Sequence, residues 1–178
     1  MALPAVTLRP TSASDQNLLL QVYAATRAAE LALTGWNQSA CEAFVLMQFN
    51  AQTSHYRQQW PASDQAVIEV ETEGAKQAVG RLWVDRQAGE ILVLDIAILP
   101  DWCSRGVGTT CLRRLMGECA QGGQALTIQV EQGNPARRLY ERLGFQPVGP
   151  QHGLHQLMAW RHVVGAISPR EEACYEQA

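Results

Sequence analysis

Residues 96–112, Ile96-Ala97-Ile98-Leu99-Pro100-Asp101-Trp102-Cys103-Ser104-Arg105-Gly106-Val107-Gly108-Thr109-Thr110-Cys111-Leu112, read as a strand that passes through a short loop into a helix. The run over 91–99 is apolar almost throughout, which suits a strand buried on both faces, and Pro100 closes it. From Gly106 the period becomes that of a helix: Val107, Cys111, Leu112, Leu115, Met116 and Cys119 share one stripe, and Gly122-Gly123 ends it. In Arg105-Gly106-Val107-Gly108 the glycines carry no Cβ, so a ligand can come close to the backbone. Successive N–H groups at the helix start would point into one concavity where the dipole favours anions, and a diphosphate would sit well there. Glycines at a strand–helix turn also occur for steric reasons alone, so this pair does not decide the matter. Two other phosphate motifs fail. A P-loop needs Gly-Lys-Ser/Thr where Gly108 is followed by Thr109-Thr110, and a dinucleotide fingerprint needs a third glycine where Cys111 stands.

Working outward, a strand is predicted over 6–9, stopped by Pro10. Ser12 or Ser14 can cap a helix bearing Leu18, Leu19, Val22, Tyr23 and Thr26. Ser39 and Glu42 form an S-x-x-E capping box for a second helix with Phe44, Val45 and Phe49 on one face, ending before Trp60-Pro61. Strands are predicted over 65–71 and 77–85, joined by the turn Glu73-Gly74, with a further turn at Gln87-Ala88-Gly89. Downstream lie a strand over 126–130, a short helix from Pro135 to a stop at Gly144, and two strands over 145–148 and 154–160. This order implies an α/β fold, one mixed sheet with helices on both faces.

The bulk numbers bound the function. With 178 residues, 47% hydrophobic and 17% charged, the chain can bury one continuous core. A net charge of −3 and no basic run longer than a pair argue against nucleic acid or an anionic membrane as partner. No apolar stretch reaches the roughly 20 residues that span a bilayer, and the first ten residues lack the pattern of a secretory signal. Five scattered cysteines form no C-x-x-C, so neither a disulfide framework nor a zinc site is expected, and a reducing cytoplasmic compartment fits. His152 and His155 are too isolated to suggest a metal.

The segment quoted first resembles the acyl-CoA-binding motif of the GNAT superfamily of N-acetyltransferases, in which a strand's backbone binds the pantetheine arm and a Q/R-x-x-G-x-G/A loop binds the diphosphate. A second block, Val130-Glu131-Gln132-Gly133-Asn134-Pro135-Ala136-Arg137-Arg138-Leu139-Tyr140-Glu141-Arg142-Leu143-Gly144-Phe145, is similar to that family's strand–helix–strand end. The clear resemblance covers 91–145 and a weaker one extends to 160. It implies a GNAT-type domain over 1–165 with a tail over 166–178. Two departures stand out. Cys103 occupies the loop position usually held by Arg or Gln, with Arg105 a candidate replacement. Gly133 stands where the family's Asn precedes Tyr by seven residues, leaving Asn134 six before it. Asn134 could cap the helix that follows, contact CoA, or both.

By resemblance, acetyl-CoA is the cosubstrate, no metal is needed, and Ile96, Ala97, Ile98, Cys103, Ser104, Arg105, Gly106, Val107, Gly108, Thr109, Asn134 and Tyr140 would hold it. The chemistry requires a neutral amine to attack a thioester carbonyl, an oxyanion to form and a thiolate to leave. Tyr140 is implied to be the general acid that protonates the thiolate; the alternative is a packed tyrosine with a bonded hydroxyl. Asp95, in an apolar strand, is a candidate base or the partner of an arginine. Glu131 is a second candidate base or a solvated loop charge. Trp36, Gln48 and Tyr56, with His55 and Trp60, fall where the family places its acceptor pocket, although aromatics at helical spacing are more often core. The expected acceptor is a small-molecule or peptide amine, and a homodimer is compatible with the sequence. A domain of the same fold that binds acyl-CoA without turnover is the alternative, favoured by Cys103 and disfavoured by Tyr140.

Overall fold

The computed structural model describes residues 5–72, 74–151 and 153–162. In chain order the elements are strand β1 (Val6–Pro10), helix α1 (Gln16–Leu31), helix α2 (Gln38–Gln59), strands β2 (Asp64–Thr72), β3 (Ala75–Arg86) and β4 (Glu90–Ile98), helix α3 (Val107–Gly122), strand β5 (Ala125–Glu131), helix α4 (Arg137–Arg142), and strands β6 (Gln146–Pro147) and β7 (His155–Arg161). The strands form one seven-stranded sheet in the order β1-β2-β3-β4-β5-β7-β6. β2 to β4 make an antiparallel meander with β1 antiparallel at its edge, β4 and β5 run parallel, and β7 lies antiparallel to both β5 and β6. This is the single mixed sheet expected from the sequence.

Alternation along the strands divides the apolar residues between two faces. Leu82 and Val84 of β3, with Ile91 and Val93 of β4, meet Val107, Cys111, Leu112, Leu115 and Cys119 of α3 in the main core. The intervening residues Arg81 and Trp83 face the other layer, where Leu19 and Tyr23 of α1 meet Val45 and Phe49 of α2. Each helix therefore shows the sheet one apolar stripe, and the sheet is covered on both sides.

Several boundaries differ from the expectations for local reasons. Pro10 belongs to β1, which an edge strand allows because the missing N–H is not needed for pairing. The α2 cap is Asn37, whose side-chain oxygen accepts from the Ala40 N–H at 2.9 Å, and Ser39 lies inside the helix. The capping box therefore does not form: Asn is as good a cap as Ser, and Glu42 instead receives a bond from Gln38 at 2.7 Å. Thr26 faces solvent and returns its hydroxyl to the Tyr23 carbonyl at 2.7 Å. Within β4 only Ile91, Val93 and Ala97 are buried, so the strand is less covered than its composition implied. Glu73, His152, Cys174 and the tail over 166–178 lie outside the described residues.

Candidate functional site

The site starts from a break in the sheet. β4 pairs with β5 only from Glu90 opposite Ala125 to Val93 opposite Ile128. On its other side the register slips: Trp83 faces Asp95 and Val84 faces Val93, so Leu94 is an extra residue. Such a bulge bends the strand carrying it. The Tyr56 hydroxyl donates to the Leu94 carbonyl at 3.0 Å and ties the bulge to α2. Beyond Val93 the two parallel strands part, and β4 runs on without a β5 partner. Into the gap opens a cleft of about 570 Å³, walled by Ile96 and Ile98, by the loop and first turn of α3, and by the segment from Asn134 to Arg142.

The loop is shaped by two residues with positive φ, Ser104 at 61° and Gly106 at 86°, on either side of Arg105. The first bond of α3 runs from the Thr110 N–H to the Gly106 carbonyl at 2.9 Å. The N–H groups of Val107, Gly108 and Thr109 therefore have no intrahelical acceptor, and all three residues line the cleft. A Cβ at Gly108 would stand 3.4 Å from both Ile98 Cδ1 and Leu139 Cδ2, so the two walls already approach closely there. The cradle suits an anion with a narrow backbone-facing profile, as a diphosphate has. Of the other residues singled out in the loop, Cys103 and Ser104 line the cleft. The Cys103 thiol lies 3.6 Å from both the Ile98 and Leu99 carbonyls. Arg105 does not line it. Its guanidinium lies over the Trp102 ring, 5.2 Å from the centroid, a cation–π contact that turns it along the loop. Ala97 also falls outside the lining, because alternation sends it to the opposite face from Ile96 and Ile98.

Tyr140 lies in the inner wall, 5% exposed, with its ring 5.8 Å from Phe145. Its hydroxyl has no hydrogen-bond partner among the described residues. Burial, and after it the negative charge of Asp95, pushes its pKa up to about 12. Asn134 does cap: its side-chain oxygen accepts from the Ala136 N–H at 2.9 Å, and the residue also borders the cleft. The described residues include no group of three or more His, Cys, Asp or Glu placed to hold a metal ion.

Asp95 projects from the opposite face of β4 and pairs with Arg81 at 2.6 Å. Arg81 is 1% exposed, also donates to Gln52 at 3.0 Å, and lies against the rings of Tyr23 and Phe49. Its Nη1 has no hydrogen-bond partner among the described residues. Burial raises the Asp95 pKa and the arginine opposes that rise. Asp95 is thus both partly desolvated and ion-paired, the two alternatives left by the sequence. Glu131 ends β5 on the surface, 54% exposed and 3.4 Å from the His155 ring nitrogen, away from the cleft lining.

Trp36, Gln48 and Tyr56 are not brought together. Trp36 stacks edge-on against Phe44 and borders a separate hollow of about 630 Å³ between α1 and α2. That hollow shares no residue with the cleft. Tyr56 is committed to the bulge and stacks against Trp60 and Trp83, while His55 is exposed. Two residues that the sequence did not bring forward do line the cleft, Arg138 and Arg142. Their i,i+4 spacing, which puts both on one helix face, was the available signal. Arg81 was missed as well, although an arginine between Gly80 and Leu82 in an apolar strand was visible.

Residues 63–147 match the family model described as the acetyltransferase (GNAT) domain. The match spans 85 of the 178 residues, and the single mixed sheet flanked by helices is the fold of GNAT acetyltransferases of known structure. Among solved structures the fold is similar to the PaiA N-acetyltransferase from Thermoplasma acidophilum in complex with coenzyme A, at 14% identity and TM-score 0.62, covering 89% of this chain and 99% of that one. An acetyltransferase from Thermus thermophilus gives 22% identity and TM-score 0.62, with 91% and 100% covered. The ribosomal-protein-S18-alanine N-acetyltransferase from Escherichia coli gives 18% identity and TM-score 0.57, with 92% and 97% covered. No curated protein matches the sequence. Among the described residues no helix is long and apolar enough to cross a membrane.

Proposed function

We propose that this chain transfers an acetyl group from acetyl-CoA to a primary amine by direct attack in a ternary complex, with residues 1–165 as the catalytic domain. The observation that carries the proposal is the parting of β4 and β5, which brings a phosphate cradle and a buried tyrosine hydroxyl to one cleft. Acetyl-CoA supplies an activated acyl group on a thiol leaving group. Val107, Gly108 and Thr109 would present their free N–H groups to the diphosphate, and the edge of β4 from Ile96 to Ile98, which β5 leaves uncovered, would receive the pantetheine arm where a neighbouring strand would otherwise lie.

Tyr140 would hold a proton near the leaving sulfur. With a pKa of about 12 the phenol stays protonated at neutral pH, so it can act as an acid and not as a base. Asp95 has one oxygen committed to Arg81, and its charge acts on both Tyr140 and Tyr56. It lies across the sheet from the α3 wall, where it could orient an amine arriving from the side of α1 and α2 and take its proton. Glu131, exposed and beside His155, has the weaker claim to that role. The acceptor would be a small-molecule or peptide amine. Free thiols at Cys41, Cys103, Cys111 and Cys119 support a reducing compartment such as the cytoplasm.

The test is to offer acetyl-CoA with a panel of amines, amino acids, polyamines and peptide N-termini, and to follow release of the free CoA thiol. Amine-dependent release is expected. Binding of acetyl-CoA with no release for any acceptor would overturn turnover in favour of a sensing domain.

A further inference from the structure

The wall of the cleft formed by α4 carries two guanidinium groups, Arg138 and Arg142, both exposed and both in the lining. Neither is in an ion pair among the described residues. Their neighbour Arg137 behaves differently: it is held by Glu141 at 2.9 Å and stays out of the lining. Four residues apart, Arg138 and Arg142 stand one above the other on the face turned to the cleft. The loop wall supplies no such charge. Cys103 brings an uncharged thiol sitting against two carbonyls, and Arg105 is turned onto Trp102. A polyanion lodged at the start of α3 would therefore meet backbone dipoles from the loop and, among the described residues that line the cleft, full positive charge only from α4.

We propose that Arg138 and Arg142 hold the phosphate groups of CoA, supplying from α4 the positive charge that the loop lacks at Cys103. The proposal rests on the cleft being the CoA site. A guanidinium offers paired N–H donors that match phosphate oxygens, and two of them on one face form a clamp. Because both are exposed, their contribution falls as salt rises. Either the diphosphate or the 3′-phosphate could be the group held, and the two differ in one removable phosphate.

The experiment is calorimetric titration of CoA and 3′-dephospho-CoA into the whole protein at low and high salt. It compares wild type with Arg138→Gln, Arg142→Gln, the double variant, and Arg137→Gln as control, with melting curves to verify folding. The double variant is expected to bind CoA at least roughly tenfold more weakly and with a shallower salt dependence, while Arg137→Gln stays within about twofold of wild type. An equal loss for both ligands assigns the pair to the diphosphate. A loss confined to CoA assigns it to the 3′-phosphate. A folded double variant with wild-type affinity and salt dependence overturns the proposal alone. Wild-type protein that binds neither ligand overturns the assignment of the cleft.

Discussion

Arg81 Nε donates to Asp95 Oδ2 at 2.6 Å, a diagonal contact between β3 and β4 on the face covered by α1 and α2. Arg81 stands opposite Ala97 and Asp95 opposite Trp83, so the pair joins the two strands just past the bulge where β4 leaves β5. A guanidinium 1% exposed without its carboxylate would be an uncompensated buried charge. Asp95→Asn should therefore cost on the order of 3 kcal/mol, at the low end for buried pairs because Asp95 itself is 18% exposed. Replacing both residues, as in Arg81→Met with Asp95→Asn, should recover much of that loss. Denaturant unfolding of both singles and the double variant measures it, and strictly additive losses would show that the two do not act as a pair.

Tyr140→Phe keeps the ring on Phe145 and deletes only the hydroxyl. Folding and acetyl-CoA affinity should change little, while kcat falls by up to roughly 100-fold. Since the wild-type phenol holds its proton to about pH 12, an alkaline limb at lower pH must come from another group and should persist in the variant. Wild-type kcat under conditions where chemistry limits turnover would remove Tyr140 from the reaction.

Gly108 separates a permissive substitution from an obstructive one. A methyl group there meets Ile98 and Leu139 at 3.4 Å, ordinary contact, so Gly108→Ala should fold and bind with at most a few-fold loss. The branched side chain of Gly108→Val must crowd those residues or enter the cleft, and acetyl-CoA affinity should drop by about tenfold or more. Calorimetry on variants with normal melting curves checks both. Undiminished binding by folded Gly108→Val would place the ligand elsewhere.

Asp15 gives a pH signature remote from the cleft. Its carboxylate receives two bonds from Arg9, at 2.7 and 2.8 Å, and others from the Ser12 hydroxyl and N–H, and these hold its pKa well below the usual carboxylate range. A depressed folded-state pKa stabilises fully above the unfolded value near 4 and is lost as pH falls below it. Wild type should therefore melt higher than Asp15→Asn at pH 7, and the gap should close progressively below about pH 4. A gap independent of pH would mean that the contacts act through shape alone.

Legibility varied along the chain according to how local each cause was. The period change at Gly106, the apolar run of β4 and the glycine stops of α3 and α4 are properties of neighbouring residues, and each element came out within a few residues of its predicted place. The second helix started at Asn37 because two good caps lay within three residues and only the backbone's β-region turn at Asn37 chose between them. Side-chain direction in the loop was harder. Arg105 was expected at the phosphates, but its contact with Trp102 depends on how the turn brings an indole beneath it.

From the sequence alone came the strand–loop–helix with its glycine cradle, the mixed α/β sheet and the block containing Tyr140, because hydrophobic period, glycine placement and motif order are all written in consecutive residues. Tertiary structure decided the rest: where β4 parts from β5, the burial of Arg81 against Asp95, the turning of Arg138 and Arg142 into the cleft, and the dispersal of Trp36, Gln48 and Tyr56. Each of these depends on how residues distant in the chain approach one another. Gly80 shows the reason most plainly, since a Cβ there would overlap the Ala97 carbonyl oxygen, a constraint that exists only once β3 and β4 are paired.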